Sequence, residues 1–356
     1  MTDYFPATYA TARQGFISEA EAAGAQITSH AHPLDDPSGE ELAIDVARFG
    51  SQDAAAVVVI GSGTHGVEGR CGSGLQRIAM REGLFTELPK GVGVILVHGI
   101  NPFGFAWDRR VDHNNIDVNR NFVDHAGPYP DNDAYEALFD VLNPAELDDS
   151  QAWTDAITEY ASAEGPIAAY RASVGGQYIH PEGLQYGGAA PTWSNEVLTS
   201  VWRQELGKAS LAINVDFHTG IGPPGFGSVM QTANVDEDAS DLASQWWGGI
   251  MRSARPESAD PITCGLVGLG FDETVNWAQT VSIVLEFGTR DPLEVLGAIR
   301  ADNWLEQYGD RRSEKGKEIG EQMRAAFFVD DPVWRDKVTE RGLEVMGQAI
   351  EGAVGS

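Results

Sequence analysis

Basic residues are scarce in this chain. Its 356 residues hold 24 Lys and Arg against 53 Asp and Glu, a formal net charge of −29. A surface that acidic repels nucleic acid and anionic membranes, so neither is expected as a partner. A salt or solubility adaptation accounts for the excess, and one bound divalent cation would offset only about two of the charges. Cysteine is nearly missing: Cys71 and Cys264 are the only two, and neither belongs to a CxxC pair. That excludes a disulfide framework. No stretch approaches the ~18 uninterrupted apolar residues of a spanning helix. The opening MTDYFPATYATARQGF has neither a basic n-region nor an apolar h-region, and a soluble, cytoplasmic protein is expected. No repeat, low-complexity tract or Pro/Ser-rich linker interrupts the chain. A single domain over 1–356 is therefore expected, with a core at about 54–290 and C-terminal helices at about 292–350.

What is present is an alternation. Apolar, β-branched runs occur at Ala54–Ile60, Val92–His98, Leu211–Phe217 and Val281–Phe287. Their continuous apolarity predicts strands buried on both faces. Helical patterns lie at about Cys71–Glu82, Ala134–Leu142, Gln151–Tyr170, Ser194–Gly207, Glu237–Arg252, Leu293–Tyr308 and Arg311–Phe327, and a last one, Val333–Ile350, reads as peripheral. The order predicts an α/β fold: a central, mostly parallel mixed sheet flanked by helices. Asn101–Asp131 and Ser173–Pro191 fit neither pattern. Long loops of this kind usually carry function.

The chemistry-bearing residues sit where the strands end. Gly61-Ser-Gly-Thr-His65-Gly-Val-Glu68-Gly69 follows the first buried strand and offers an imidazole and a carboxylate three residues apart. Alone, that spacing fits a surface ion pair as well as a shared cation. His218 ends the strand Leu211–Phe217, and Glu286 lies within Leu-Glu-Phe-Gly near the end of another. Open α/β sheets place their ligand crevice at the carboxyl ends of the strands. Two His and one Glu form a recurring catalytic zinc set that leaves a fourth position to water, and His65, Glu68 and His218 supply it. The plainer alternatives are a satisfied buried histidine at 218 and a structural pair of Glu286 with Arg290. An unpaired glutamate inside VSIVLEFG would be costly to bury without a role. A second segment, Arg109 to Phe122, sets Asn119 beside Arg120, a carboxamide and a guanidinium fork suited to a carboxylate or an amide.

In their order, H-x-x-E (His65, Glu68), D-x-N-R-N-F (Asp117 to Phe122), D-x-H (Asp216, His218) and the late Glu286 resemble the zinc carboxypeptidase (M14-like) superfamily, which includes the succinylglutamate desuccinylase and aspartoacylase branch. The resemblance covers roughly residues 54–290. The GQYxxPxGLxYGG stretch at Gly176–Gly188 is most similar to the DUF2817 group. The resemblance implies one zinc ion on His65, Glu68 and His218, with Glu286 as general base. It also implies Asp117 behind the first zinc histidine, Asn119 and Arg120 on a substrate carboxylate, and Arg110, in preference to Arg109, at the oxyanion. The tyrosine that lines such sites has no clear match, Tyr178 and Tyr186 being the candidates.

The expected activity is hydrolysis of an amide bond in a small molecule or peptide bearing a carboxylate. The competing readings are an N-acyl amino acid deacylase of the aspartoacylase type, a non-catalytic binding module, and a serine hydrolase suggested by Gly61-Ser-Gly and Gly72-Ser-Gly. Neither serine has a G-x-S-x-G frame. Oligomeric state has no signature in the sequence.

Overall fold

The computed structural model of the protein describes residues 4–147, 151–231, 237–252 and 263–354. The strands are β1 (Gln26–Asp35), β2 (Glu41–Phe49), β3 (Ala56–Ser62), β4 (Val92–His98), β5 (Leu211–Pro224), β6 (Gly227–Gln231), β7 (Met251–Arg252) and β8 (Gln279–Gly288). They form one mixed sheet in the order β1-β2-β4-β3-β5-β8-β6-β7. The four central strands, β4, β3, β5 and β8, run parallel, while β2 and β6 flank them antiparallel.

Both faces of these central strands are covered, which is why they read as continuous apolar runs. Val58, Ile60, Val94, Leu96, Ile213 and Ile283 enter one cluster with residues of helices Tyr9–Ala22, Gly69–Arg81 and Pro332–Gly352. Their neighbours Val57, Val59, Ile95, Val97 and Ala212 enter the opposite cluster with helices Trp193–Glu205 and Val267–Thr274. Successive residues thus alternate between two apolar layers.

The four predicted strands and most helices lie where expected, and the departures have physical causes. The pattern at Gln151–Tyr170 is two helices, Ala152–Glu164 and Pro166–Val174, because Gly165 takes φ 97° and Pro166 begins the second without an N–H to donate. The stretch expected as one helix at Ala134–Leu142 breaks at Leu138. Glu237–Arg252 is helical only to Trp247, and Met251–Arg252 pair with β6. β1 and β2 were not anticipated. β1 is a largely exposed edge strand, and the apolar run of β2 is interrupted by Asp45 and Arg48, each buried in an ion pair, with Arg13 and Glu205. The core therefore begins well before residue 54.

The C-terminal helix corrects the reading of Val333–Ile350 as peripheral. Trp334, Val338, Val345, Met346, Ala349 and Ile350 are all buried in the larger cluster, and the Trp334 indole N–H donates to O of Gly288, the last residue of Glu286's strand, at 2.9 Å. Truncating Trp334 to Ala should destabilise the protein by about 3–5 kcal/mol. Urea unfolding of the variant measures it, and a loss under ~1 kcal/mol would contradict a core role for the helix.

His98, at the end of β4, is fully buried, stacked on Phe16 at 4.5 Å, with Nε2 at 3.0 Å from Ser73 Oγ. Burial pushes its pKa down from 6.5 to about 4. The unfolded chain then binds the proton more tightly, so His98's contribution is complete above pH 6.5 and lost as the pH falls toward 4. Between pH 7 and pH 5 the expected loss is about 2 kcal/mol. Unfolding free energies of the native protein and H98Q at both pH values should differ in slope by that order, and equal slopes would overturn the assignment.

Candidate metal centre

Three adjacent parallel strands bring the site together. β3 ends at Ser62, and Gly63, in the left-handed region at φ 75°, turns the chain into His65. Gly66 lies so close to the short helix Pro102–Ala106 that a Cβ there would sit 2.1 Å from the Gly104 carbonyl carbon. Only glycine lets the loop seat at that depth. Glu68 then begins helix Gly69–Arg81. On β5 and β8, His218 and Glu286 are direct register partners. The strand pairing alone sets them side by side.

The three groups named from the sequence converge. His65 Nδ1 lies 2.8 Å from Glu68 Oε1, His218 Nδ1 lies 3.2 Å from Glu68 Oε2, and the two Nδ1 atoms are 3.1 Å apart. One ligand atom from each of the three residues lies within 4.8 Å of the others, and all three residues are buried. Behind the ligand atoms, each imidazole meets a carboxylate: His65 Nε2 is 3.2 Å from Asp117 Oδ1, and His218 Nε2 is 2.8 Å from Asp216 Oδ2. A carboxylate accepts, so each Nε2 carries a proton, and in the neutral form of each ring Nδ1 would turn a lone pair toward the other and toward Glu68. Three electron pairs facing one another suit a shared cation.

The charge balance points the same way. Glu68, Asp117, Asp216 and Glu286 are buried carboxylates, and only the guanidinium groups of Arg110 and Arg120 stand among them as permanent cations. The carboxylates outnumber the guanidinium groups, an imbalance that a bound cation would relieve. The electrostatics record the crowding. Burial raises Glu286 to about 7, assisted by the charge of Glu68. Burial opposes charge on His218 too, but Asp216 and Glu68 outweigh it and hold its pKa well above the imidazole range. Asp117, despite burial, is held well below the carboxylate range by Arg110, His65 and Arg120.

Glu286 Oε1 accepts from Ile221 N at 2.9 Å. Arg290, weighed as its partner, instead donates from Nε to Ala325 O at 3.2 Å. The choice between the two arginines is clear in space. Arg110 donates to Asp117 Oδ2 and Glu68 Oε1, both at 3.2 Å, whereas Arg109 is buried away from the cluster on Asp302 and Asn115. Arg120 is pinned by carbonyls: Nε and Nη2 donate to Val174 O, and Nη1 donates to Asn119 O. Two of its five N–H groups remain for another acceptor. Asn119 Oδ1 accepts from Val267 N at 2.9 Å.

Of the two tyrosines considered, Tyr178 donates its hydroxyl to Arg120 O and stacks on Tyr129, and Tyr186 gives its carbonyl to Asp117 N, so both build the walls. Tyr170, which nothing in the sequence singled out, is 40% exposed and within electrostatic range of Arg120, Glu286 and Arg110. It stands on the helix that Gly165 and Pro166 divide from its predecessor, a break that hid it inside an apparently continuous helical pattern.

Asp216 was legible only as part of D-x-H; its role is structural support of His218, with Thr64 Oγ1 donating to both its oxygens at 2.8 and 3.0 Å. D216N should lower metal affinity about 10–100-fold. Competition against a chromophoric chelator measures this, with H218A as the variant expected to lose stoichiometric binding. Unchanged affinity in D216N would remove the orienting role.

Among the described residues no helix is long and apolar enough to cross a membrane. The chain is similar in structure to carboxypeptidase A from Helicoverpa armigera, at 11% identity and a TM-score of 0.49, covering 92% of this chain and 75% of the other. Succinylglutamate desuccinylase from Chromobacterium violaceum is similar at 14% identity and a TM-score of 0.38, covering 88% and 73%. Glutaminyl cyclase from Fimbriiglobus ruber is similar at 10% identity and a TM-score of 0.42, covering 97% and 86%. No curated protein matches the sequence. The family model described as protein of unknown function (DUF2817) matches residues 5–341, nearly the whole length, and the chain belongs to that family.

Proposed function

We propose that the protein is a zinc-dependent hydrolase of an amide bond in a substrate that carries a carboxylate. The observation that supports this most is the convergence of His65, Glu68 and His218, each imidazole backed by its own carboxylate, beside Glu286 on the neighbouring strand.

Zinc held by these three residues would supply Lewis acidity, polarising a carbonyl and easing deprotonation of water near neutral pH. Glu286 is the group left to move protons. Among the described residues its carboxyl keeps a single hydrogen bond, from the Ile221 backbone, and no ion pair, so it is free to take a proton from the attacking water and return it to the departing amine. Arg110, its fork fixed by Glu68 and Asp117, stabilises the carbonyl oxygen as negative charge develops. Arg120, held rigid by two carbonyls and with two N–H groups to spare, anchors the substrate carboxylate, and the Asn119 amide lies beside it. Whether the substrate is a peptide trimmed at its C-terminus or an N-acyl amino acid depends on which side of the scissile bond Arg120 holds.

E286Q should lower turnover about 10²–10⁴-fold while metal content stays at the native level. The assay is hydrolysis of a C-terminal peptide ladder and an N-acyl amino acid panel by the zinc-loaded protein, before and after chelation. One of the two classes should be turned over, with activity lost on chelation and restored by zinc. Near-normal hydrolysis by E286Q would remove Glu286 as the base, and turnover indifferent to chelation would remove the metal.

A further inference from the structure

Away from the metal centre, a cleft of about 1160 Å³ opens between helix Tyr9–Ala22, helix Glu314–Phe327 and the start of the C-terminal helix. Five arginines line it: Arg70, Arg77, Arg290, Arg324 and Arg335. In a chain with 24 basic residues and a net charge of −29, that is a notable concentration of cations at one place. Three acids share the lining, Glu321, Asp330 and Asp331. Two of them are engaged: Asp331 caps the C-terminal helix through Val333 N and Trp334 N, and Asp330 pairs with Arg335. Glu321 lies 3.9 Å from Arg324 and is largely exposed.

The cations outnumber what these acids neutralise. Arg70 and Arg324 share one carboxylate, that of Asp108. Among the described residues Arg77 and Arg290 bond to carbonyls only, Nη1 of Arg77 donating to Tyr4 O at 2.8 Å and Nε of Arg290 to Ala325 O at 3.2 Å. Arg70 is 5% exposed, and its Nη1 is buried without a hydrogen-bond partner, as is Nε of Arg77. Those two atoms are closed off from solvent, whereas Arg290 is exposed and can turn its remaining N–H groups to an oxyanion drawn into the cleft. The site is also built around these side chains. Gly15 makes room for Arg77, whose Cζ lies 2.4 Å from where a Cβ would be, and Arg335 lies over both Phe5 and Phe328 at 5.6 and 5.5 Å. Those rings line the same cleft and give it an apolar wall beside the charged one.

We infer that this cleft is a binding site for a small organic anion, carrying a phosphate or carboxylate toward Arg77 and Arg290 and an apolar portion toward Phe5 and Phe328. None of the metal-centre residues lines it, so the inference stands apart from the proposed hydrolysis.

The test uses phenyl phosphate and phthalate as probes on the full chain, in isothermal titration calorimetry and thermal unfolding at constant ionic strength. At least one probe should bind saturably and raise the melting temperature. R77Q/R290Q should weaken that binding about tenfold or more, whereas R312Q, an exposed arginine outside the cleft, should leave it unchanged. Preference for one probe identifies the anionic group. Absence of saturable binding by either probe would overturn the inference. So would undiminished binding in R77Q/R290Q, which would assign the anion to the metal centre with its own Arg110 and Arg120. The single variant R290Q, at an exposed position, carries the same comparison if the double variant does not fold.

Discussion

Compensation of buried carboxylates at the ends of β3, β5 and β8 is the constraint on which the rest of the site depends. A carboxylate taken out of water without a counter-charge costs several kcal/mol, so each acid here must be met. Asp216 is met by His218 and Thr64, Asp117 by His65 and Arg110, and Glu68 by both histidines, Arg110 and the Thr219 amide at 2.9 Å. Among the described residues Glu286 receives one backbone N–H. The least compensated of the four is therefore also the one driven toward neutrality. Local chemistry separates three acids that orient from one that can exchange a proton, although all four are buried around one site.

The fold meets that constraint by register and by zipping its loops. The parallel pairing of β5 with β8 fixes the spacing of His218 and Glu286 through the backbone. The long segment after β4 is sewn to the metal loop by backbone bonds, from Ile100 N to Ser62 O, Asn101 N to Gly63 O, Gly66 N to Arg110 O and Val67 N to Arg109 O. Those bonds make an irregular stretch a rigid wall. A loop tied down in this way can hold Asp117 and Arg110 at fixed distance from His65 with only two short helical turns, Pro102–Ala106 and Val118–Arg120, of its own.

The parallel core was legible because burial on both faces leaves a run such as AVVVI with no polar residue to blur it. The metal ligands were legible because they stand directly after such runs. β2 was not, since its buried Asp45 and Arg48 break the apolar pattern, and only the distant Arg13 and Glu205 reveal why they are tolerated. The C-terminal helix was misjudged because its buried residues are spread among charged ones, and its seat against the sheet is set by long-range contacts that local pattern does not encode. The same limit applied to Tyr170. Its relation to Arg120 and Glu286 is a property of the helix break and of the assembled site, with no spacing motif to announce it.

The arginine choice shows how a backbone dihedral can decide chemistry. Asp108, Arg109 and Arg110 are consecutive, yet their side chains leave in three directions: Asp108 to Arg70 and Arg324, Arg109 to Asp302 and Asn115, and Arg110 to Glu68 and Asp117. Asp108 adopts φ 53°, a left-handed conformation that costs an L-residue roughly 1–2 kcal/mol. Two guanidinium groups on its carboxylate offset that cost. Held in an ordinary extended or right-handed conformation, residue 108 would redirect the chain entering Arg109, and the alternation that buries Arg109 and delivers Arg110 to the cluster would be lost. The identity of the arginine at the site is thus a consequence of ion pairs made two residues upstream, by Asp108 with Arg70 and Arg324 of the arginine-lined cleft.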